Sequence, residues 1–401
     1  MELAELTDDR VKLLVSKQEE WFCDTNAGRL MDISCGNQTY IWGYSHFFIL
    51  AAIQWAQRNV SWVNYKSSES CEQVDSLTNS IVKESGLHSV AWAVSGTDAV
   101  ELALYIKNLY YNQNNPNRQS ILSFTPGYSG TSFLPAILRG EFEVPWCYNV
   151  DTGVWPTIEA RQSYEERALQ QVEDKLRQHA DIGTVFMESM PWIEKFRPWS
   201  DSWWYNIREL CDKYNCLMVV DDVMGGYGKT GPNKFTHTTQ GVMPDIVTSG
   251  KSITAGFAPL STVCMSEDVT RAVINKFGFS HTWSPNMAGV GAANWIYRNW
   301  LEDTAWQDAQ QQFESMVADR IRTGHIKQGW HKGLVCSMEL VKPITQLDLL
   351  QAGIMPSGLD CYYDNNHLTI CAPVGAYWEV INGNLYWDQL NERLDRALGN
   401  T

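Results

Sequence analysis

The feature that most constrains the fold is a series of short apolar segments between residues 90 and 265, which alternate with helical patterns. The apolar segments are Val90–Val94, Ser120–Phe124, Thr184–Met187, Leu217–Val220, Ile246–Thr248 and Thr262–Met265. Strands that are apolar on both faces and alternate with helices are typical of a mostly parallel sheet with helices on both sides. The sequence therefore predicts an α/β fold for this part of the chain.

The flanking segments predict a second, smaller domain. The 401 residues suffice for two domains. We expect the N-terminal segment of a small α+β domain at 1–50, a large domain at 51–297 and the C-terminal segment of the small domain at 298–401. Apolar spacing predicts helices over 1–27, 46–60, 74–86, 300–324 and Trp387–Leu398, and strands over Gly333–Leu340 and Leu368–Cys371.

Composition narrows the classes of function. A net charge of −15 argues against nucleic-acid binding, which needs a basic surface. No apolar run of about 20 residues predicts a membrane span, and the acidic first residues do not resemble a signal peptide. Ten cysteines without a CxxC pair, and histidines without metal-ligand spacing, predict reduced thiols and no metal site. We expect a soluble, cytoplasmic protein.

Polar residues follow several of the apolar segments at the point where each strand is predicted to end. They are Ser95-Gly96-Thr97, Glu188, Asp221 and Lys251. Ligands of parallel α/β sheets bind outside the carboxyl ends of the strands. These positions therefore predict one shared site.

Each of these residues alone has a structural alternative. Ser95-Gly96-Thr97 begins a helix, whose free N–H groups suit a phosphate, yet an ordinary helix cap has the same sequence. Asp221 ends a buried strand, where it could pair with a cation, accept a proton, bind a metal or cap a turn. Lys251 would be a surface residue by default, but in a dry pocket its amine becomes nucleophilic. The separation of 30 positions from Asp221 to Lys251 leaves room for one crossover, so both could reach one site.

Together, six motifs stand in the order and at the spacing found in one enzyme family. They are SGTDA at 95–99, GYSGT at 127–131, MES at 187–189, DDVMGGYGKTG at 221–231, PDIVTSGKSITAGFAPLS at 244–261 and HTWSPNMAG at 281–289. In these motifs the chain resembles the class III (omega) aminotransferases, which use pyridoxal 5′-phosphate (PLP) and have fold type I. The resemblance extends from about Gly28 to the C-terminal LTICAP. It implies a large domain with a mostly parallel sheet flanked by helices, and a smaller α+β domain built from both termini.

The resemblance also implies a role for each matching residue around the cofactor ring. Lys251 would bind PLP as a Schiff base and carry the proton between substrate and cofactor. Asp221 would pair with the protonated ring nitrogen, which keeps the ring an electron sink. Tyr128 would stack on one face of the ring, and Val223 would pack against the other.

Further matching residues would bind the polar groups of PLP. Ser95, Gly96 and Thr97 would hold the phosphate, mainly through backbone N–H groups. Glu188 would lie on the side of the ring hydroxyl. Thr282 would reach the phosphate bound by the neighbouring subunit, which implies a homodimer.

The sequence departs from the family pattern at several positions. Ser129 replaces the histidine after the stacking tyrosine, Ser189 replaces a proline, and Lys229 replaces an arginine. Asp222 replaces a glutamate and is expected to be structural. Thr369 stands where an arginine is common, so Arg139 and Arg197 are the candidates for binding a substrate carboxylate. The missing arginine weakens the case for a simple α-amino acid substrate, and the other departures leave the detailed substrate open and suggest a distant branch of the family.

Several functions share the chemistry of Lys251 and Asp221. The leading hypothesis is an aminotransferase that moves an amino group from an amine or amino acid to a carbonyl acceptor by a ping-pong mechanism. An isomerase that resembles glutamate-1-semialdehyde aminomutase, or an amino acid epimerase, is the alternative. A PLP-fold protein without catalysis and an unrelated phosphate-binding α/β enzyme stay open. In each enzyme case the partners are small molecules.

Overall fold

The computed structural model describes residues 13–64, 70–153, 157, 159–191, 196, 198–276, 278, 281–300, 304–358, 366–373 and 385–399. The chain divides into two compact units, Phe47–Trp306 and Met1–His46 with Gln307–Thr401. The domain boundaries inferred from the sequence, at 50 and 297, remain a prediction.

The secondary structure alternates between strands and helices through most of the large unit. The strands are β1 (Val15–Glu19), β2 (Phe22–Thr25), β3 (Gly28–Met31), β4 (Ser89–Ala93), β5 (Ser120–Thr125), β6 (Cys147–Asp151), β7 (Ile182–Glu188), β8 (Leu217–Asp221), β9 (Ile246–Ser249), β10 (Ser261–Met265), β11 (Ile326–Lys332), β12 (Val335–Leu340) and β13 (His367–Cys371). The helices are α1 (Cys35–Gln38), α2 (Phe47–Asn59), α3 (Glu72–Ser85), α4 (Gly96–Asn114), α5 (Phe133–Leu138), α6 (Arg161–Gln178), α7 (Asp201–Tyr214), α8 (Thr236–Gln240), α9 (Glu267–Val273), α10 (Met287–Arg298), α11 (Thr304–Arg322), α12 (Gln346–Gln351) and α13 (Leu385–Gly399). Of the helices in the described ranges, none has both the length and the apolar character that crossing a membrane requires.

The large unit contains a seven-stranded sheet with the order β4-β10-β9-β8-β7-β5-β6. The five strands from β9 to β6 are parallel to one another. Strand β10 runs antiparallel to both of its neighbours, β9 and β4. All six predicted apolar segments form strands of this sheet, so the predicted mostly parallel sheet is confirmed.

One strand of this sheet, the edge strand β6, was not predicted. Four of its five residues are at least partly exposed, and only Val150 is buried. An edge strand that is not covered on both faces lacks the uniformly apolar sequence by which the other strands were identified.

Helix α4 fixes the start of the candidate site against the sheet. It packs against β9 and β10, and its apolar residues Val100, Ala103 and Ile106 belong to the same buried cluster as Val219 and Val263 of the strands. Burying a Val or Ile side chain stabilises a fold by about 1.5–3 kcal/mol. This packing holds the N-terminus of α4 at the carboxyl end of β4.

The smaller unit contains two antiparallel three-stranded sheets, β1-β2-β3 and β11-β12-β13. The helix predicted over 1–27 is wrong for the residues that the structure describes, because β1 and β2 occupy them. The turn that joins β2 to β3 ends at Gly28, whose φ of +105° suits glycine. The Thr25-Asn26-Ala27-Gly28 sequence is a turn signal that outweighs helical spacing. The strand β11 was also not predicted.

A buried carboxylate organises the short turn α1, whose four residues all have positive φ. Asp32 is 2% exposed. Its oxygens accept hydrogen bonds from the Ser34 and Gly36 N–H groups at 2.8 and 2.7 Å and from the Tyr44 hydroxyl at 2.5 Å. Burial and the nearby Asp32 raise the pKa of Tyr44 above its usual range. These contacts offset the cost of a left-handed turn.

Candidate functional site

The site begins at the carboxyl ends of three neighbouring parallel strands. Glu188 of β7 lies in register with Asp221 of β8, which lies in register with Thr248 of β9. Lys251 follows two residues after the end of β9. The predicted convergence at one edge of the sheet is therefore present.

A cavity of about 160 Å³ lies at this edge. It is lined by Ser95, Gly96, Thr97, Tyr128, Ser129, Gly130, Glu188, Asp221, Val223, Met224 and Lys251. Of the nine residues that the sequence singled out for cofactor binding, eight line it. Thr282 does not: it is exposed, and its carbonyl accepts a hydrogen bond from Trp62 Nε1 at 2.8 Å. Met224 and Gly130 were missed, although both lie beside residues of the recognised motifs.

The N-terminus of α4 forms one end of the cavity. The Ser95 hydroxyl caps the helix by accepting from the Asp98 N–H at 3.2 Å, so its side chain has the ordinary capping role that the sequence left open. A Cβ on Gly96 would lie 2.8 Å from Val223 Cγ1, and only glycine allows this approach. The first-turn N–H groups of an α-helix have no partner within the helix. An anion, such as a phosphate, is the ligand that such a helix start favours.

Asp221 provides a buried carboxylate, 5% exposed. Its Oδ1 accepts hydrogen bonds from the Val223 N–H and the Thr248 hydroxyl, both at 3.1 Å. Burial raises the pKa of Asp221, while these two hydrogen bonds and the nearby charge of Lys251 act in the opposite direction. A carboxylate that is costly to ionise without a partner is suited to a cationic ligand.

Lys251 enters the cavity from a strained turn. Its φ is +46°, a conformation that costs a non-glycine residue about 1–2 kcal/mol. Such strain persists only where the surrounding structure enforces it, and it is concentrated at functional sites. The Lys251 Nζ lies 3.6 Å from the Met224 Sδ, and a thioether is only a weak acceptor. At the preceding Gly250, a Cβ would lie 2.7 Å from Ser261 Oγ, so a larger residue would require one of the two to shift.

Tyr128 lies on a loop that is fixed from several directions. Its N–H donates to Glu188 Oε1 at 2.7 Å, so Glu188 orients this loop. The Thr131 N–H donates to the Thr97 hydroxyl at 3.2 Å. Arg139 donates through Nη1 to the carbonyls of Tyr128, at 3.1 Å, and of Gly130.

The two arginines proposed for a substrate carboxylate have different outcomes. Arg139 does not line the 160 Å³ cavity, and its Nε pairs with Glu141 Oε1 at 2.6 Å. Its donors are thus directed at the loop and at Glu141. Arg197 lies outside the described residues. Thr369 is buried in β13, with its hydroxyl 3.4 Å from Ser337 Oγ.

The glycine-rich segment after β8 is held by a second buried carboxylate. Asp222 accepts from the Thr236 N–H at 2.9 Å and from its hydroxyl at 2.6 Å. Burial raises the pKa of Asp222 to about 6. The buried Lys229 donates to the Ser252 hydroxyl at 2.8 Å, which ties this segment to the turn that carries Lys251. Asp222 and Lys229 therefore act on the structure around the cavity and do not line it.

The sequence of the chain is similar to that of proteins in one known family. Residues 6–361 match the model of the family described as aminotransferase class-III. The chain is 25% identical over 286 residues to adenosylmethionine-8-amino-7-oxononanoate aminotransferase of Aquifex aeolicus, a match that covers 65% of this chain and 62% of the relative. It is 27% identical over 280 residues to 5-aminovalerate aminotransferase of Pseudomonas putida, which covers 65% and 63%.

Solved structures share the fold over nearly the whole length. An amine transaminase from an uncultivated Pseudomonas species, solved in its PLP-bound form, has a TM-score of 0.83 at 18% identity and covers 99% of this chain and 98% of its own. An (S)-enantioselective omega-transaminase from Thermomicrobium roseum has a TM-score of 0.84 at 19% identity, covering 100% and 96%. The predicted PLP fold type I is confirmed.

The sequence matches leave part of the relatives uncovered. The chain aligns with about 62% of the length of the first two curated relatives. The family model, in contrast, spans most of this chain. The chain belongs to the class-III aminotransferase family.

Proposed function

We propose that the protein is a PLP-dependent aminotransferase, which moves an amino group from an amine or amino acid donor to a carbonyl acceptor in two half-reactions. The observation that carries this proposal is the cavity in which the Lys251 amine, the buried Asp221 carboxyl group and the N-terminus of α4 converge. Each of these groups matches one functional group of PLP: the aldehyde, the ring nitrogen and the phosphate. Family membership and the names of the relatives support the same function.

When bound, PLP supplies a ring that accepts the electron pair released from the substrate carbon. Lys251 would hold the cofactor through its amine. The Lys251 amine would also remove and return the proton at the substrate carbon that bears nitrogen. Asp221 would keep the ring nitrogen protonated, because its buried carboxylate gains most from a positive neighbour.

The remaining residues would bind and orient the cofactor. The backbone N–H groups of Gly96 and Thr97 would hold the phosphate, with Ser95 capping the helix that presents them. The ring would lie between Tyr128 and Val223, and Glu188 would fix the loop that carries Tyr128.

A donor and acceptor screen with the purified protein tests the proposed reaction. We expect a donor amine alone to remove the absorption of the lysine-bound cofactor and to release one carbonyl product per site. An added carbonyl acceptor should then restore the original spectrum, because the two half-reactions are separate. A substrate that is isomerised without release of a carbonyl product would contradict transamination and support the aminomutase or epimerase alternative.

We further propose a homodimer in which Thr282 completes the phosphate site of the neighbouring subunit. Thr282 is exposed and does not line the cavity of its own chain. Large exposed aromatic side chains are typical of subunit interfaces, and Trp62 and Trp283 near Thr282 are 49% and 61% exposed.

We also propose a reducing, cytoplasmic environment for the protein, since the cysteines that the structure describes are free thiols.

Replacing Thr282 tests this arrangement. We expect Thr282→Ala to stay dimeric in sedimentation and to release cofactor about ten- to 150-fold faster, because one hydrogen bond to a charged group is worth about 1.5–3 kcal/mol. Thr323→Ala, at an exposed position, serves as the matched control. A wild-type protein that sediments as a monomer and retains cofactor fully would contradict the proposal.

A further inference from the structure

Arg139 lies behind the Tyr128 loop and not in the cavity. It follows α5 and has a side chain that is 17% exposed. A second, much smaller cavity is lined by Arg139 together with Ser129 and Glu188, with room for about one water molecule. Ser129 and Glu188 line both cavities, whereas Arg139 lines only the small one. The guanidinium group therefore contacts the outer side of a wall that the cofactor cavity shares.

The loop at this wall has an unfavourable backbone. Ser129 has a φ of +54° and Gly130 a φ of +130°. A left-handed conformation is unfavourable for a serine, so it needs contacts that enforce it. The two carbonyls that flank this serine, those of Tyr128 and Gly130, both accept from Arg139 Nη1. One donor thus closes the loop around the strained residue.

The same guanidinium also contacts the ring that the loop presents. Its central carbon lies 5.9 Å from the centre of the Tyr128 ring, within the range of a cation–π interaction. Glu141 pairs with the Nε on the exposed side. A planar guanidinium can make these contacts together, whereas the ammonium of a lysine is a point donor.

We propose that Arg139 is a positioning residue, which sets the conformation of the Ser129 turn and through it the place of the Tyr128 ring over the cofactor. This inference rests on the proposed function for its consequence in catalysis. It also replaces the alternative that Arg139 binds a substrate carboxylate. The loop contact itself is a property of the chain with or without cofactor.

The test compares Arg139→Gln and Arg139→Lys with Glu141→Gln, which removes the ion pair but leaves the loop contacts in place. The first readout is hydrogen exchange, by mass spectrometry, of the peptide that contains Tyr128 and Thr131. We expect exchange at least about tenfold faster in Arg139→Gln, because two carbonyl contacts to a charged donor are lost. Arg139→Lys should be intermediate, and Glu141→Gln should be unchanged. Far-ultraviolet circular dichroism identifies any variant that has not folded. If Arg139→Gln does not fold, Arg139→Lys is compared with the wild type instead.

The second readout is the cofactor in the full-length holoprotein. Arg139→Gln should release PLP about tenfold faster and should lower kcat more than it raises the KM of the amino donor. In a Tyr128→Ala background the same substitution should have little further effect on release, because both residues act through one ring. Rescue of release by Arg139→Lys to within a few-fold of wild type agrees with a positioning role.

Three results would overturn the proposal. If hydrogen exchange of the Tyr128 peptide is unchanged in Arg139→Gln, Arg139 does not hold the loop. A rise in KM that is confined to carboxylate-bearing substrates, with normal cofactor release, makes Arg139 a substrate-binding residue. If the Arg139 and Tyr128 substitutions have additive effects on cofactor release, the two residues do not act through the same ring. If the wild-type protein binds no PLP, the proposed function has failed, and the exchange result still decides whether Arg139 fixes the loop.

Discussion

Lys251→Ala is expected to abolish the covalent attachment of PLP and to reduce transamination by at least about 10³-fold, because the variant loses both the attaching amine and the group that moves the substrate proton. The cofactor should still enter the cavity, held by the N-terminus of α4 and by Asp221, but it should be lost on dialysis. The absorption spectrum of the purified variant, before and after borohydride treatment, measures the attachment directly.

A matched control separates this effect from the loss of any lysine. Lys276→Ala removes an exposed lysine of the large unit and should leave both spectrum and turnover unchanged. Added primary alkylamines should restore part of the turnover of Lys251→Ala, since a free amine can substitute for the missing base. Wild-type turnover in Lys251→Ala without added amine would remove the role assigned to this lysine.

Asp221→Asn is expected to slow turnover by roughly 10²- to 10⁴-fold, the factor that corresponds to about 3–5 kcal/mol for a buried charge deprived of its partner. The asparagine amide cannot stabilise a protonated ring nitrogen, so the ring is a weaker electron sink. The hydrogen bonds from the Val223 N–H and the Thr248 hydroxyl both go to Oδ1. An asparagine oxygen can accept both, so the fold should be retained.

The raised pKa of Asp221 gives this prediction a second readout. Burial raises the pKa of the carboxyl group in the folded chain, so its ionisation opposes folding when no cation is bound. That contribution favours the folded state below the ordinary pKa of 3.8, and it is lost as pH rises through the folded pKa. At pH 7 the cofactor-free Asp221→Asn protein should therefore unfold at a temperature equal to or above that of the wild type.

The matched comparison for Asp221 is Asp268→Asn, an exposed carboxylate at the start of α9. It should change neither turnover nor the spectrum. Deuterium labelling at the reacting carbon of the donor should slow Asp221→Asn more than the wild type, since proton removal becomes the slow step. If Asp221→Asn turned over substrate at the wild-type rate, Asp221 would not be the partner of the ring nitrogen.

The central sheet and the position of the site were predictable from the sequence because both follow from local patterns. Buried parallel strands are uniformly apolar, and parallel strands bring their carboxyl ends to one edge. The sequence pattern alone therefore predicts that one edge of the sheet carries Glu188, Asp221 and Lys251. The resemblance of the motifs then distinguished a site for PLP from an ordinary helix cap or a surface lysine.

The elements that were missed depend on contacts that the local pattern does not contain. The N-terminal strands β1 and β2 have apolar residues at a spacing that also fits a helix, and pairing with β3 decides between the two. Arg139 and Arg197 were the candidates for a substrate carboxylate because the resemblance implies an arginine for that group and Thr369 stands where one is common. Its contacts with the carbonyls of Tyr128 and Gly130 arise only once the chain has folded.

The order of strands in the central sheet has a consequence for how far sequences with this site can diverge. Neighbouring strands lie about 4.8 Å apart, and this distance is set by backbone hydrogen bonds that any residue except proline can make. The strand order therefore fixes the distances across the sheet between the groups of the site. These groups are the helix start after β4, Lys251 after β9, Asp221 on β8 and Glu188 on β7, and β10 lies between β4 and β9. Side chains elsewhere in the sheet can change without altering those distances. Because the backbone sets these distances, two chains can share this fold with a TM-score of 0.83 at only 18% sequence identity.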